Sequence, residues 1–259
     1  MPLNPDGASS ASAPFLISFS GIDGAGKTTQ IERLALHLEE SGLRVLRLSF
    51  WEHIAIWPNL RAGVGYRAVD RGMSRRTDLS FAPRNNKHVR NWYLTTARSG
   101  FYLLDIGRVY RLLARQEVRA HDVVIFDRYI YDQIANVYSQ SFAARTYGKL
   151  LLSLAPVPDL AFVVDASPAE AFARKPEYPL EFVYRNRRSF LQLREIHPEL
   201  IVVPSAGVNE VAEEIRGHIR RSKLLVRSLH TGNAERPAVP ALLPTQSFRT
   251  VQDEPTAKF

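Results

Sequence analysis

Residues 21–28 constrain this chain more than any other stretch, because they read Gly-Ile-Asp-Gly-Ala-Gly-Lys-Thr and fit the pattern G-x-x-x-x-G-K-[ST]. An apolar run at 15–19 precedes them, and apolar residues at helical spacing follow from Ile31. This context predicts a strand, a tight loop and a helix, with loop N–H groups and the helix N-terminus facing a phosphate. Lys27 would reach the terminal phosphates, and the Thr28 hydroxyl would face Mg²⁺. The stretch therefore predicts a nucleotide-phosphate site.

Strand-like and helix-like segments alternate along the rest of the chain, which predicts one α/β domain over residues 14–227. Strands are expected at 15–19, 43–50, 122–128, 158–165 and 200–203. We expect a three-layer phosphate-loop fold with about five parallel strands and helices on both faces. Residues 1–13 and 228–259 lack apolar periodicity, so we expect a disordered N-terminal segment and a disordered C-terminal tail.

The composition excludes several kinds of site and of protein. The 259 residues include no cysteine, which excludes disulfides and thiolate metal sites. No apolar run approaches the roughly 18 residues of a membrane span, and no signal peptide is evident, so a cytoplasmic location is expected. The formal net charge of +8 raises the question of nucleic acid. No nucleic-acid-binding motif is evident, however, and arginines that serve an anionic substrate explain part of the charge. Nucleic acid is not an expected partner.

Four separated blocks together resemble the thymidylate kinase family. Residues 19–30 are similar to its phosphate loop, Phe-Glu-Gly-x-Asp-Gly-x-Gly-Lys-[Ser/Thr]-Thr-Gln, and residues 127–129 read Asp-Arg-Tyr, as at the end of its third strand. Residues 158–171 resemble its Pro-Asp-Leu-x(4)-Asp-x-x-Pro-Glu-x-Ala segment, and residues 180–191 resemble the helix that closes its lid region. The blocks keep the family's order over about residues 15–219. The resemblance implies γ-phosphoryl transfer from ATP-Mg²⁺ to a small nucleoside monophosphate, with dTMP as the first choice.

The resemblance also implies roles for individual residues. ATP would be bound by Gly21, Asp23, Gly24, Ala25, Gly26, Lys27, Thr28 and Thr29. Mg²⁺ would be held by Thr28 and Asp127, and catalysis would rest on Lys27, Asp127, Arg128 and Arg174. Arg174 lies in a lid region at 174–188, whose further candidates are Lys175, Arg185 and Arg187. The acceptor would contact Asp23, Arg108 and Gln133, with Glu52 as a further candidate. Dimers are usual in the family, so a homodimer is considered as well.

The segment at 51–86 departs from the family and is expected to form a divergent acceptor-side loop. Family members usually continue the second strand into Phe-x-Arg-Glu-Pro-Gly, whose arginine holds the acceptor phosphate, whereas residues 49–54 here read Ser-Phe-Trp-Glu-His-Ile. That anchor would then come from Arg61, Arg67 or Arg90. Ser20 also replaces the glutamate that precedes the loop in the family.

The same departure leaves alternatives open. The spacing of Glu52, Trp57 and Asn59 resembles a stretch of the deoxynucleoside kinases, in which the glutamate acts as general base toward a nucleoside 5′-hydroxyl. The Asp-Arg-Tyr at 127–129, and the lack of proline after Glu52, favour the monophosphate kinase instead. A catalytically inactive nucleotide-binding regulatory protein and a nucleic-acid end kinase are the remaining alternatives.

Overall fold

The computed structural model describes residues 13–55, 87–137 and 142–222, and within these ranges it leaves aside the side chains of 87–99, 136 and 137. The predictions of disorder for residues 1–12 and 228–259 therefore lie outside the described residues. Most of the predicted acceptor-side loop, including the candidate anchors Arg61 and Arg67, lies outside them too.

One parallel sheet of five strands forms the centre of the molecule, in the order β2–β3–β1–β4–β5. The strands are β1 (Phe15–Ser20), β2 (Val45–Ser49), β3 (Val123–Asp127), β4 (Leu160–Val164) and β5 (Ile201–Val203). The three middle strands are almost wholly buried, because helices cover both faces of the sheet. The predicted fold class, an α/β phosphate-loop fold with five parallel strands, is confirmed.

The helices flank the sheet in two groups. They are α1 (Lys27–Glu40), α2 (Lys87–Ala114), α3 (Gln116–Arg119), α4 (Ile130–Val137), α5 (Phe142–Leu154), α6 (Pro168–Arg174), α7 (Leu180–Gln192) and α8 (Val208–Arg221). A π-helical turn at Phe50–Ile54 and a 3₁₀ turn at Leu193–Glu195 complete the described elements. Helices α1 and α8 pack together, and α4 contacts α2, α5 and α7. None of the helices in the described ranges has the length and apolar character of a membrane span.

Helix α1 is bounded by two glycines in the left-handed region. Gly26 is its N-cap residue with φ 88°, and Gly42 follows its C-cap with φ 81°. After the helix, the N–H of Gly42 donates to Glu39 O at 2.9 Å and that of Leu43 donates to Leu38 O at 3.1 Å. This is the Schellman pattern, which satisfies the last helix carbonyls and ends the helix at Gly42.

The strand order decides where a ligand can bind. The chain leaves β1 toward one edge of the sheet and leaves β3 toward the other, so right-handed crossovers put α1 and α4 on opposite faces. A crevice opens at such a switch point, outside the carboxyl ends of the two strands. Phe19 of β1 and Ser49 of β2 both pair with Asp127 at the end of β3. The phosphate loop and Asp127-Arg128 therefore share one edge of the sheet.

Candidate nucleotide-binding site

Three glycines allow the phosphate loop to wrap tightly. Gly21, Gly24 and Gly26 have φ values of 138°, 81° and 88°, which side chains rarely tolerate. A Cβ at Gly21 would lie 2.5 Å from Val164 O, and a Cβ at Gly24 would lie 2.3 Å from Ala171 O. The loop thus packs against the end of β4 and the middle of α6 so closely that only glycine fits at these two positions.

Lys27 is held inside this loop. Its ammonium donates to the carbonyl oxygens of Gly21 at 2.9 Å and Ile22 at 2.8 Å, and the residue is only 6% exposed. Burial, assisted by the nearby Arg128 guanidinium, lowers the pKa of Lys27 to about 8. The cation is therefore in place before any phosphate arrives. Thr28 and Thr29, in the first turn of α1, are both exposed.

Arg128 is the second cation at the loop. Its φ of 66° lies in the left-handed region, which costs an arginine roughly 1–3 kcal/mol. Its N–H donates to Phe19 O at 2.9 Å, and its guanidinium forms an ion pair with Asp23 of the loop. Backbone strain of this kind is stored mainly at functional sites, where surrounding contacts fix the residue. The Asp-Arg at the end of β3 is thus tied directly to the phosphate loop.

Asp23 connects the two cations. Burial alone would raise the pKa of its carboxyl, but Arg128 and Lys27 outweigh burial and hold that pKa below its usual value. Asp23 is therefore a carboxylate at neutral pH. It lies within the loop, where the sequence predicts contacts to both nucleotides.

Asp132 of α4 is a site residue that the sequence interpretation missed. Its Oδ2 accepts a hydrogen bond from Ser20 Oγ at 2.6 Å and another from the N–H of Tyr129 at 3.0 Å. Burial raises the pKa of Asp132, while Arg128 and Lys27 act in the opposite direction. Its place three residues after the helix N-cap, where an acidic residue bonds back to the cap N–H, is half of a capping box and was the available sequence signal.

Of the four lid candidates, Arg174 is the one whose side chain bonds to the loop among the contacts described. Its Nη1 donates to Gly24 O at 3.0 Å and its Nη2 lies 3.2 Å from Glu170 Oε2, yet its side chain remains 53% exposed. Arg187 is instead held by two hydrogen bonds to Asp165, at 2.7 and 2.6 Å. The other two candidates make local contacts, Lys175 with Glu177 and Arg185 with Phe182.

The predicted acceptor contacts are dispersed. Gln133 of α4 is 1% exposed, and neither of its amide atoms has a hydrogen-bond partner within the described ranges. Arg108 lies on an exposed part of α2, next to the buried Val109. Glu52 is exposed in the π-helical turn that follows β2. The structure brings neither Arg108 nor Glu52 into a described contact with the loop.

The predicted magnesium ligands suit a metal that arrives with a nucleotide. Asp127 supplies a carboxylate at the end of β3, and Thr28 supplies an exposed hydroxyl at the start of α1. Both are hard oxygen donors of the kind that Mg²⁺ prefers, and Mg²⁺ commonly completes its shell with phosphate oxygens and water. No three His, Cys, Asp or Glu side chains cluster as a metal site in the part of the chain that the structure describes. The donor set therefore fits nucleotide-bound Mg²⁺ better than a protein-only metal site.

Comparison with known proteins finds relatives that match almost their whole length. The chain is 27% identical over 222 residues to a probable thymidylate kinase of Pyrococcus abyssi, covering 81% of this chain and 98% of that protein. It is 27% identical to a thymidylate kinase of Dinoroseobacter shibae (79% and 95% covered) and 25% identical to a probable thymidylate kinase of Archaeoglobus fulgidus (78% and 92% covered). The chain therefore resembles thymidylate kinases over nearly their whole length.

No protein-family profile matches the chain. A solved structure of thymidylate kinase from Ehrlichia chaffeensis is 21% identical, has a TM-score of 0.49, and is matched over 80% of this chain and 99% of that one.

Compared with the thymidylate kinase pattern, this chain differs at two places on the same sheet edge. The turn at Phe50–Ile54 carries no arginine where the family pattern has the one that holds the acceptor phosphate. Ser20 stands where the family pattern has a glutamate, and the carboxylate of Asp132 lies against its hydroxyl. The donor side of the site keeps the family's residues, and the departures lie beside it.

Proposed function

We propose that the protein is an ATP-dependent thymidylate kinase, which converts dTMP and ATP to dTDP and ADP. The observation that carries this proposal is the fixed position of Arg128 beside the loop, where it forms a second cation next to Lys27. A site that brings an anionic acceptor against an anionic donor needs cations on both sides of the transferred group. The match to thymidylate kinases over nearly their whole length supports the same acceptor.

The loop binds the donor. Its N–H groups and the N-terminus of α1 surround the β-phosphate, while Lys27 exchanges its bonds to Gly21 O and Ile22 O for bonds to the β- and γ-phosphates. A bound phosphate offsets the burial that lowers the pKa of Lys27, so the lysine is protonated in the complex. Thr28 and Asp127 would hold Mg²⁺, which neutralises charge on the phosphate oxygens.

Transfer requires mainly positioning and positive charge. An oxygen of the acceptor phosphate attacks the γ-phosphorus in line with the leaving ADP oxygen, and charge spreads over the equatorial oxygens. Arg128 binds acceptor and transferred phosphate oxygens with its two-pronged guanidinium, and Asp23 keeps that guanidinium in place. Arg174 adds charge from the lid side, because the loop itself carries Ala25 where a basic residue would otherwise serve.

Gln133 is the proposed contact to the base. A buried amide without partners is costly, since both its donor and its acceptor have lost water. Thymine offers an acceptor and a donor side by side at O4 and N3–H, which one amide can satisfy together. Arg108 is the second proposed base contact and would have to turn toward the crevice from its exposed position.

The described residues argue against the two alternatives, a deoxynucleoside kinase and a binding protein without transfer. A nucleoside kinase would use Glu52 as a general base, but this residue is exposed and has no described partner that orients it. A binding protein without transfer would have no use for the strained backbone of Arg128.

A panel of acceptors tests the proposal. Purified protein, ATP and Mg²⁺ are combined with each nucleoside and each nucleoside monophosphate, and ADP release is followed together with the phosphorylated product. We expect turnover with dTMP above all other acceptors. Turnover of nucleosides alone would select the deoxynucleoside kinase, and tight ATP binding without any transfer would select the regulatory protein.

Self-association and location complete the proposal. Exposed apolar side chains lie on α2 and α5, which contact one another; they include Leu103, Leu104, Tyr110, Phe142 and Leu150. We propose that they form a homodimer interface. Sedimentation tests this: the parent should be a dimer, and a Phe142→Glu variant should shift to monomer.

Because the reaction consumes ATP and a small nucleotide, we place the enzyme in the cytoplasm.

A further inference from the structure

The family pattern has a glutamate directly before the loop, and this chain has Ser20 at that position. Strand β1 therefore supplies no carboxylate there. The hydroxyl of Ser20 does not remain unpaired in the interior: it donates a 2.6 Å hydrogen bond to Asp132, which comes from α4 and lies 112 residues further along the chain. Both residues are buried, with exposed fractions of 0% and 1%. A carboxylate therefore lies beside the end of β1 although β1 itself does not supply one.

The contacts of Asp132 divide between its two oxygens. Oδ2 accepts from Ser20 Oγ and from the N–H of Tyr129, which fixes the carboxylate to β1 and to the start of α4. Oδ1 accepts no hydrogen bond in the described part of the chain and lies 3.6 Å from Nη1 of Arg128. One oxygen thus anchors the side chain, and the other faces the second cation of the site.

The two cations of the site have Asp132 as a common counter-charge. Among the carboxylates that raise the pKa of Lys27 against burial, Asp132 has the largest effect, followed by Asp23 and Asp127. Its charge also raises the pKa of Arg128, as do the charge of Asp23 and the hydrogen bond that Asp23 accepts. The reason is that Asp132 is fully removed from water, where the field of a charge is screened least. Asp23 contacts the guanidinium of Arg128 from the loop, and Oδ1 of Asp132 lies 3.6 Å from Nη1 of the same residue on the side of α4.

We propose that Asp132 is a positioning residue for phosphoryl transfer, which supplies from α4 the carboxylate that Ser20 fails to supply from β1 and thereby aims Arg128 at the phosphates. This inference rests on the proposed kinase activity. Asp132 does not touch the reacting atoms and acts through Arg128. Relative to the family pattern, the carboxylate beside the end of β1 comes from α4 and not from the position of Ser20.

Steady-state kinetics of Asp132→Asn test this role. Asparagine keeps the shape and can still accept from Ser20 and Tyr129, but it removes the charge that faces Arg128. We expect kcat with dTMP to fall about tenfold or more while KM for ATP changes less than about threefold. Arg128→Lys should lower kcat less in the Asp132→Asn variant than in the parent, because the two residues act as one unit. Unchanged kcat, or additive losses, would overturn the proposal.

A reciprocal exchange provides the second readout. Asp132→Ser should lower kcat at least as much as Asp132→Asn, and adding Ser20→Glu should restore kcat to within about threefold of the parent by placing a carboxylate in the same space. A double variant that folds but does not recover kcat would overturn the proposal. The combined change also keeps the proposal testable if Asp132→Ser alone does not fold.

Asp159 offers a matched control. Its Oδ2 accepts from the N–H of Leu16 at 2.8 Å, so it also ties a carboxylate to β1, but near the opposite end of the strand from the loop. Asp159→Asn should lower the melting temperature without changing kcat. If Asp159→Asn lost as much kcat as Asp132→Asn, the role of Asp132 would be structural only.

The parent protein separates the two proposals. If it transfers phosphate to no monophosphate, the proposed kinase activity is contradicted. If it is active and Asp132→Asn has the same kcat, only this inference is contradicted.

Discussion

The donor side and the acceptor side of the crevice are built in different ways. On the donor side Lys27, Asp23 and Arg128 have defined partners, and the loop backbone is closed around them by glycines that nothing else can replace. On the acceptor side Gln133 is buried without a hydrogen-bond partner among the described residues, and Glu52 is exposed. The donor side is therefore organised before a ligand binds, whereas the acceptor side presents groups that a ligand still has to satisfy. The following predictions test that contrast.

Lys27→Ala should have the largest effect. Removing the loop cation should lower kcat by about 10²–10³-fold, as for loss of a preorganised transition-state donor, while the melting temperature falls little because a buried charge is also removed. Kinetics and thermal unfolding are measured together, with Lys149→Ala, an exposed lysine of α5, as the control. A residual kcat within about tenfold of the parent would mean that the donor side is not organised around this lysine.

Gly24→Ala should damage the donor side through the backbone alone. The added methyl would meet Ala171 O at 2.3 Å, so we expect a loss of roughly 3 kcal/mol in unfolding free energy and about 100-fold weaker ATP binding. Gly42 is the matched control, since it has the same φ of 81° but no atom from the described part of the chain within 4 Å of the new methyl. Gly42→Ala should cost about 1–2 kcal/mol and leave ATP affinity unchanged. Equal effects at the two glycines would refute the packing argument.

Arg174 and Arg187 should differ in role: we expect Arg174 to act in catalysis from the lid and Arg187 to be structural. Arg174 is half exposed and bonds to the loop, so Arg174→Ala should lower kcat about thirtyfold with little change in stability. Arg187 is engaged by Asp165, so Arg187→Ala should cost about 1 kcal/mol of stability, after allowance for its partial exposure, and little activity. The opposite pattern would transfer the lid role to Arg187.

The pH dependence of ATP affinity should reveal the buried cation. With a pKa of about 8, Lys27 loses its proton above that pH in the free enzyme, so ATP affinity should fall up to about tenfold per pH unit beyond it. Lys27→Arg, which stays protonated, should remove this dependence. Because the unfolded chain holds the proton up to about pH 10.5, this lysine should also make folding more favourable as pH rises from about 8 to 10.5. A flat affinity profile to pH 9.5 would contradict the lowered pKa.

Gln133→Leu should give the smallest effect, with opposite signs for stability and binding. Removing two buried polar atoms without partners should raise the melting temperature, whereas KM for dTMP should rise about fivefold because the base loses its contact. KM for ATP should stay constant. A lower melting temperature with unchanged KM would make Gln133 a structural residue and leave the acceptor side without its described base contact.

Much of the donor side is predictable from the sequence because its residues are contiguous. The glycines, Lys27 and Thr28 lie within eight positions, and their geometry follows from local backbone conformation. The Asp-Arg-Tyr after β3 is similarly local, and the order of the strands follows from a few topological rules. The helix end at Gly42 was predictable for the same reason.

The partners of the charged residues could not be predicted in this way. Arg187 was a candidate for the lid, yet Asp165 holds it, because α7 returns against the end of β4. Asp132 had only a weak capping signal and gains its significance from Ser20 across the fold. Arg108 has the family's approximate position on α2 but is exposed, since the orientation of a helix around its axis is decided by packing.

The sequence by itself determined that this protein holds a nucleotide phosphate in a doubly wound parallel sheet, because a short run of glycines, a lysine and a threonine sets its own backbone path. Only the tertiary structure decided which carboxylate faces which cation. Asp23, Arg128 and Asp132 come from the loop, the end of β3 and α4, and the electrostatic energy of such groups depends on burial and on distances of a few ångströms that sequence separation does not reveal.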